Sequence, residues 1–533
     1  MPAPTRILFV TSEIFPLIKT GGLADISGSL PLALRSLGLD VRVLVPGYSA
    51  ILDQLPGAQV LADVSSLAGD AGTARVLGAA MPGSGLPMLV LDCPDLYARP
   101  GGPYLTPDGV DWPDNVLRFG LLCRVGALLS SSATPLNWKP DVVHSNDWQG
   151  GLIPALLHYA KKPHAASVMS IHNLMFQGNF DPDWIPRLGL PVASYTIHGV
   201  EFHGHFSFLK AGIYFADKIT TVSKTYAMEI QTPEFGYGMQ GLLHGRRGDL
   251  YGIVNGIGDD WNPALDQHIH QPYDRSTVQR KTANKQQLQH ELGLQAADTI
   301  PLLCVVSRLT RQKGIDLILS CAHELLHSGV QLAVLGSGEA QYEQRLLELA
   351  RSRPGLVSVT LGYNEELAHR IMAGGDIFLM PSRFEPCGLS QMYAMAYGTP
   401  PVVRRTGGLA DTVTDSNEAC LRDGSATGFV FEHETPEEFL RAVQRALAAY
   451  QTGDSWLTIK QNGMKRDFRW QHAAAAYLDV YRAAARSPES PESPESPESP
   501  ESAESAESAE SAESAESAES PESLQNAAKE EAF

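Results

Sequence analysis

Short apolar runs rich in β-branched residues, separated by stretches with helical spacing, recur along the chain in two series. The first holds RILFV, VRVLVPG, PMLVLDC, DVVHSND, SVMSIHN and KITTVSK, and ends near residue 224. The second holds PLLCVVSRL, QLAVLGSG, VSVTLGY, DIFLMPS, PPVVRR and GFVFE. Runs this continuous suit strands buried on both faces, and their alternation with helices predicts parallel, doubly wound α/β sheets. Two series predict two such domains, and 533 residues with 43% hydrophobic content can supply more than one core. The Gly, Asn, Asp and Pro cluster of YGIVNGIGDDWNP (251–263) marks the hinge, which divides the chain into residues 1–254 and 255–465. In DFRWQHAAAAYLDVYRAAAR, Phe468, Ala475, Leu478 and Tyr481 recur at helical intervals, so a last helix within 466–486 packs back on the body.

Residues 487–533 carry a three-residue repeat, first SPE and then SAE, which offers almost no apolar surface and is expected to be disordered. This tail holds −13 of the net charge of −19. The remainder is close to neutral, which argues against a general nucleic-acid surface. Six cysteines (Cys93, Cys123, Cys304, Cys321, Cys387, Cys420) lack metal or CxxC spacing, as expected of a reduced compartment. The first strand is too short for a signal peptide, and Arg124 interrupts the longest apolar stretch, FGLLCRVGALL. A cytoplasmic protein with no membrane partner is the expectation.

The hexapeptide TGGLAD occurs at Thr20–Asp25 and again at Thr406–Asp411, each time after a strand and before a helix. A glycine pair admits close approach of a ligand to the backbone, and a helix start offers unpaired N–H groups to an anion. Lys19 precedes the first copy; Arg404 and Arg405 precede the second. Other polar residues fall just after strands, where ligands of parallel sheets gather. They are His144 and Asp147 in HSNDW, His172 and Asn173 in SIHN, Arg308 and Lys313 in SRLTRQKG, the turn Gly336–Gly338, Tyr363, and Glu385 in RFEPCGL. Cations, glycine turns and one carboxylate lining a cleft suit a diphosphate leaving group. His144 alone also fits a structural histidine. The GSG turn lacks the third glycine of a dinucleotide fingerprint. FDPDW (180–184) has the Asp-x-Asp of metal-dependent sugar transferases but reads equally as a turn, and no metal or cofactor is expected.

KTGGLAD, HSNDWQ, SIHNLMFQG, VNGI, SRLTRQKG, RFEPCGLSQMYAMAYGTPPVVRRTGGLADTV and DFRW, in this order across residues 6–486, resemble the bacterial glycogen synthases and plant starch synthases. The resemblance implies a GT-B fold, with two Rossmann-like domains facing across a cleft and the last helix crossing back. It implies retaining transfer of glucose from ADP-glucose to the non-reducing end of an α-1,4-glucan. It assigns catalysis to Glu385, His172, Asp147, Arg308 and Lys313. Donor binding falls to Lys19, Gly21, Gly22, Asp25, Asn173, Asn255, Arg308, Lys313, Tyr363, Cys387, Gly388, Thr406, Gly407 and Gly408. On this reading the two hexapeptides grip one diphosphate from opposite walls. A transferase using UDP-glucose or another acceptor, or an inactive glucan-binding protein, is the alternative. The chain departs from the family pattern at Asn146 and Gln149, where many bacterial members have His, and at Gly258, where Asp is usual. It has Tyr393 eight positions after Glu385, where the wider clan often has a second Glu.

Overall fold

The structure is a computed structural model that describes residues 5–486; the acidic repeat lies outside the described residues. The first series of runs forms β1 (Arg6–Val10), β2 (Asp40–Pro46), β3 (Gln59–Asp63), β4 (Arg75–Ala80), β5 (Pro87–Asp92), β6 (Val142–Asn146) and β7 (Ala166–Ile171). A small antiparallel sheet of β8 (Asn179–Phe180), β9 (Glu201–Phe202) and β10 (His205–Ser207) follows, then β11 (Lys218–Thr221) and β12 (Leu250–Gly252). The large sheet has the order β12-β11-β7-β6-β1-β2-β5-β4-β3, parallel except for the edge hairpin β3–β4, which is antiparallel and pairs antiparallel to β5. Ile7, Leu8, Phe9 and Val10 are all fully buried, as a central strand covered on both faces requires.

The second series forms β13 (Leu302–Val306), β14 (Gln331–Gly336), β15 (Val357–Leu361), β16 (Ile377–Met380), β17 (Pro401–Arg404) and β18 (Phe429–Phe431). These make a wholly parallel sheet in the order β15-β14-β13-β16-β17-β18. The two sheets form two Rossmann-like halves, the arrangement that the resemblance implies. One apolar cluster runs from Ile219, Tyr226 and Leu243 through Trp261 to Leu302, Phe378 and Met392, so the halves share a continuous packed boundary.

The chain crosses between the halves twice, and the crossings lie side by side. Ile257 N–H donates to Phe468 O at 2.8 Å, and a Cβ on Gly256 would sit 2.7 Å from the backbone of Trp470. The last helix, Trp470–Arg486, then packs against the first half's core. Its buried stripe is Trp470, Ala473, Ala474, Tyr477, Val480, Tyr481 and Ala484. The expected stripe is corrected here: of its members only Tyr481 is buried, Ala475 faces out, and Phe468 precedes the helix. His144 shows what the stripe does. It is fully buried, bonded to Tyr481 Oη at 2.8 Å and Ser170 Oγ at 2.6 Å, and burial lowers its imidazole to about 3. It is a neutral structural group that ties the returning helix to β6 and β7.

Candidate active site

On the first wall, β1 runs into Thr11, Ser12 and Glu13, all buried. The Glu13 carboxylate accepts from the N–H groups of Thr20 and Gly21 and from Tyr104 Oη at 3.0 Å. Burial pushes this carboxyl up while the three donors hold it down, with the upward effect prevailing. The Glu13 carboxyl thus occupies two amides of the first hexapeptide. The helix Gly22–Ser36 starts at the same point, and nothing lies within 4 Å of where a Cβ on Gly21 or Gly22 would project. This open side faces the cleft. Lys19 Nζ pairs with Asp25 Oδ1 at 2.9 Å and lies 5.8 Å from the ring centroid of Tyr363, which belongs to the opposite wall and is 75% exposed.

Deeper in the cleft, a strained residue follows β6. Asp147 has φ of +49°, a left-handed conformation that a side chain rarely takes without a functional constraint. The strain turns its carboxylate to accept His172 N–H at 2.7 Å, with Asn173 N–H as a second donor. Burial still raises this carboxyl to about 7. His172 is lowered by burial to about 3, so it is neutral. Asn146 donates through Nδ2 to Val10 O at 2.9 Å, which leaves its Oδ1 to accept from His172 Nε2 at 2.8 Å. His172 Nδ1 is therefore a lone-pair acceptor, buried and without a partner among the described residues. Such a nitrogen fits a sugar hydroxyl.

The second wall is built from the loops after β13 and β16, which are neighbours in the sheet. Lys313 Nζ meets Glu385 Oε2 at 2.6 Å, and Ser382 Oγ donates to the same oxygen at 2.9 Å. Arg308 lies exposed one turn away, with its Nη2 on Gln312 Oε1 at 2.9 Å. The loops are stitched together: Arg383 N–H donates to Gln312 O at 2.8 Å, and its guanidinium forms a fork with Asp316, both arms 2.7 Å. Cys387 is buried beneath Glu385, contacted by Asn255 from the hinge, and burial pushes its thiol up to about 12. It packs and does not react. Gly388 follows with φ of +69°, and the chain then enters the short helix Ser390–Ala396.

The second hexapeptide differs from the first in what surrounds it. A Cβ on Gly407 would stand 2.0 Å from Glu385 O, and one on Gly408 2.0 Å from Cys387 O. Gly408 N–H donates to Glu385 O at 3.0 Å. Gly407 N–H and Thr406 Oγ1 both donate to Glu229 Oε1 at 2.9 Å. These amides are engaged by protein acceptors, and the turn serves as the bed on which the Glu385 loop rests. Glu229 belongs to the first half, at the end of the helix Lys224–Glu229. Asp411 returns the contact, accepting at the start of that helix from Lys224 N–H (2.6 Å), Thr225 N–H (3.0 Å) and Thr225 Oγ1 (2.6 Å). Ser223 Oγ adds a bond to Pro386 O at 2.6 Å.

Sequence reasoning missed Glu13, Ser223 and Glu229. Glu13 had the same signal as Glu385, a charge ending an apolar strand; Glu229 had none, since a helical carboxylate reads as a solvated face. In FDPDW, Asp181 Oδ1 accepts Asp183 N–H at 2.8 Å, which is a turn.

A family model described as "Starch synthase catalytic domain" matches residues 6–245, and one described as "Glycosyl transferases group 1" matches residues 291–463. A curated glycogen synthase of Nitrosospira multiformis is 52% identical over 89% of this chain and 96% of its own length. One of Nitrosomonas europaea is 51% identical over 89% and 97%. Among solved structures, the catalytic domain of starch synthase IV from Arabidopsis thaliana, bound to ADP and acarbose, superposes with a TM-score of 0.80 at 29% identity, covering 91% of this chain and all of that one.

Proposed function

This chain belongs to the glycogen synthase and starch synthase family of glycosyltransferases, and from that premise we propose that it elongates an α-1,4-glucan with glucose from ADP-glucose, retaining the anomeric configuration. The observation that carries the reading is the Lys313–Glu385 pair at the carboxyl ends of β13 and β16, with Arg308 beside it and Lys19 facing it across the cleft. The ADP of the starch synthase complex supports an adenine nucleotide, for which Tyr363 presents an exposed ring. Residues 1–254 then serve the acceptor side and 255–465 the nucleotide side. Residues 466–486 return to the first domain.

In the transfer, the bond between glucose C1 and the β-phosphate oxygen breaks, C1 bonds to the acceptor's O4, and the O4 proton passes to the departing phosphate. Arg308 and Lys313 stabilise the charge growing on that phosphate; loss of either cation costs roughly 3–4 kcal/mol of transition-state stabilisation. Glu385 sets Lys313 and holds sugar hydroxyls, and neutral His172 accepts a hydroxyl at Nδ1. Asp147, Asn173 and Asn255 complete the pocket, and the side-chain-free faces of Gly21 and Gly22, with the Gly388 turn opposite, approach the phosphates. A covalent intermediate is disfavoured, because both carboxylates at hand are already engaged, Asp147 by two amides and Glu385 by Lys313. Same-face attack remains. The cations do the work of a divalent ion, so the transfer step uses no metal.

No helix among the described residues is long and apolar enough to cross a membrane; a cytoplasmic enzyme is part of this proposal. The test is incorporation of label from ADP-glucose and from UDP-glucose into glycogen, with the new linkage assigned by NMR. An α-1,4 product made at least tenfold faster from the adenine donor is expected. Equal use of both donors would refute the donor assignment, and no incorporation would leave a glucan-binding protein.

A further inference from the structure

Outside the transfer site, Asp260, Glu365 and His369 bring one ligand atom each within 4.8 Å of one another, the only such group of three among the described residues. Glu365 and His369 are four residues apart on the helix Glu365–Gly374 and so share a face. Asp260 comes from the hinge loop. Its neighbour Trp261 stacks on the His369 ring at 3.8 Å between centroids and 14° between planes, which holds the loop against the helix. The histidine is prepared in the way metal-binding histidines are. It is 2% exposed, and its Nδ1 is bonded at 2.8 Å to Asp266 Oδ2, itself held by Tyr397 Oη at 2.5 Å. A carboxylate on one ring nitrogen fixes the tautomer and leaves a lone pair on the other. That other nitrogen, Nε2, has no hydrogen-bond partner among the described residues, and neither do the carboxylates of Asp260 and Glu365.

We propose that Asp260, Glu365 and His369 bind one divalent transition-metal ion of the Zn2+ class at the mouth of the cleft. Two ligands each ~2.1 Å from an ion stand at most ~4.2 Å apart, so the set closes on an ion by a side-chain adjustment of under ~1 Å. One imidazole and two carboxylates suit Zn2+, Mn2+ or Co2+ better than Mg2+, which prefers oxygen alone. Two negative charges match the ion, and water fills the remaining positions. The site is set apart from the diphosphate cations, yet the field of Asp260 and Glu365 reaches Asp25 on the opposite wall. A bound ion therefore neutralises like charges that face each other when the cleft is shut, and it pins the hinge loop to the second domain.

The full chain, stripped with EDTA and dialysed, is titrated calorimetrically with ZnCl2, and Co2+ binding is followed by visible absorption. One saturable site per chain is expected. Affinity should fall about tenfold or more in Glu365→Gln and in Asp260→Asn, both exposed or half-buried positions whose folding is checked by circular dichroism. The Co2+ band should disappear in the same variants, and Zn2+ should raise the melting temperature of the wild type only. Transfer by the stripped enzyme should stay within twofold of untreated, which keeps this test separate from that of the reaction. Absence of saturable binding, or equal binding by wild type and both variants, overturns the proposal.

Discussion

Alanine placed in each copy of TGGLAD should have opposite consequences. In Gly408→Ala the new methyl would stand 2.0 Å from Cys387 O and 2.5 Å from Cys387 C and Cα, where ordinary contact begins at 3.4 Å. The obstacle is backbone, so residues 385–387 must retreat by at least about 1 Å. Overpacking of this kind costs ~1–3 kcal/mol, and weakening the Gly408 N–H bond to Glu385 O adds ~1 kcal/mol. The sum of about 2–4 kcal/mol corresponds to a melting temperature lower by roughly 5–15 °C. A displacement of Glu385 by ~1 Å should cost about 100-fold in kcat. In Gly22→Ala the methyl meets nothing within 4 Å, and alanine at a helix start stabilises by about 0.4–1 kcal/mol where the backbone conformation allows it. Its effect should appear in the donor KM alone. Scanning calorimetry with steady-state kinetics of glucosyl transfer separates the two. A Gly408→Ala enzyme with wild-type melting and kcat, or a Gly22→Ala enzyme equally destabilised, would refute the reasoning.

Glu385→Gln keeps the shape of the loop but removes the charge opposite Lys313, so kcat should fall about 100- to 1,000-fold in a folded protein; turnover within tenfold of wild type would remove Glu385 from the mechanism. Asp147 is raised from the ordinary carboxylate range to about 7 in the folded chain, so its proton is lost there only as pH rises through 7. Activity that needs the ionised form should climb across pH 6–8, while this group's contribution to stability declines from pH ~4 to ~7, because the folded state holds a proton the unfolded state has released. The limb should vanish in Asp147→Asn, and a limb that instead moves with His172→Gln would contradict the low value of that imidazole. Glu229→Ala, which strands Thr406 Oγ1 and Gly407 N–H, should lower kcat several-fold, and Glu229→Gln, still an acceptor, should restore most of it; equal rates for both variants would show that the contact does not position the loop.

The sheets were legible because strands buried on both faces must be apolar at every position, as Ile7–Val10 and Leu302–Val305 are. The hairpin β3–β4 was not, since QVLAD lies on an edge where most of its side chains meet solvent. The meeting of Lys313 and Glu385 could be read from position, because the loops after neighbouring parallel strands converge at one edge of the sheet. The supports could not. Glu229 reaches Thr406 across 177 positions of sequence and Asp411 reaches Lys224 across 187 only because the two halves fold against each other, and a helix end carries no mark of what it will cap. The stripe of the last helix was misread for a related reason: DFRWQH holds the second crossing as well as the helix start, so periodicity counted from Phe468 is out of phase with the helix that begins at Trp470.

The repeated hexapeptide encodes a local structure and not a ligand. In both copies a strand ends, a threonine and a glycine turn their donors to one point, and a glutamate carboxyl accepts them: Glu13, three residues beyond β1, in the first, Glu229 from the other domain in the second. With those donors engaged internally, what distinguishes the copies is where their remaining glycine looks. Gly22 looks into the cleft, with its amide unpaired among the described residues and no atom before it, so a phosphate can reach the backbone there. Gly408 looks at the underside of Cys387, so its lack of a side chain brings Glu385 close to the same cleft from below. The final aspartates diverge in the same way, Asp25 holding Lys19 and Asp411 holding the helix at Lys224. On the proposed reading one wall offers backbone to the donor, while the other uses the identical turn to support the loop that carries Glu385.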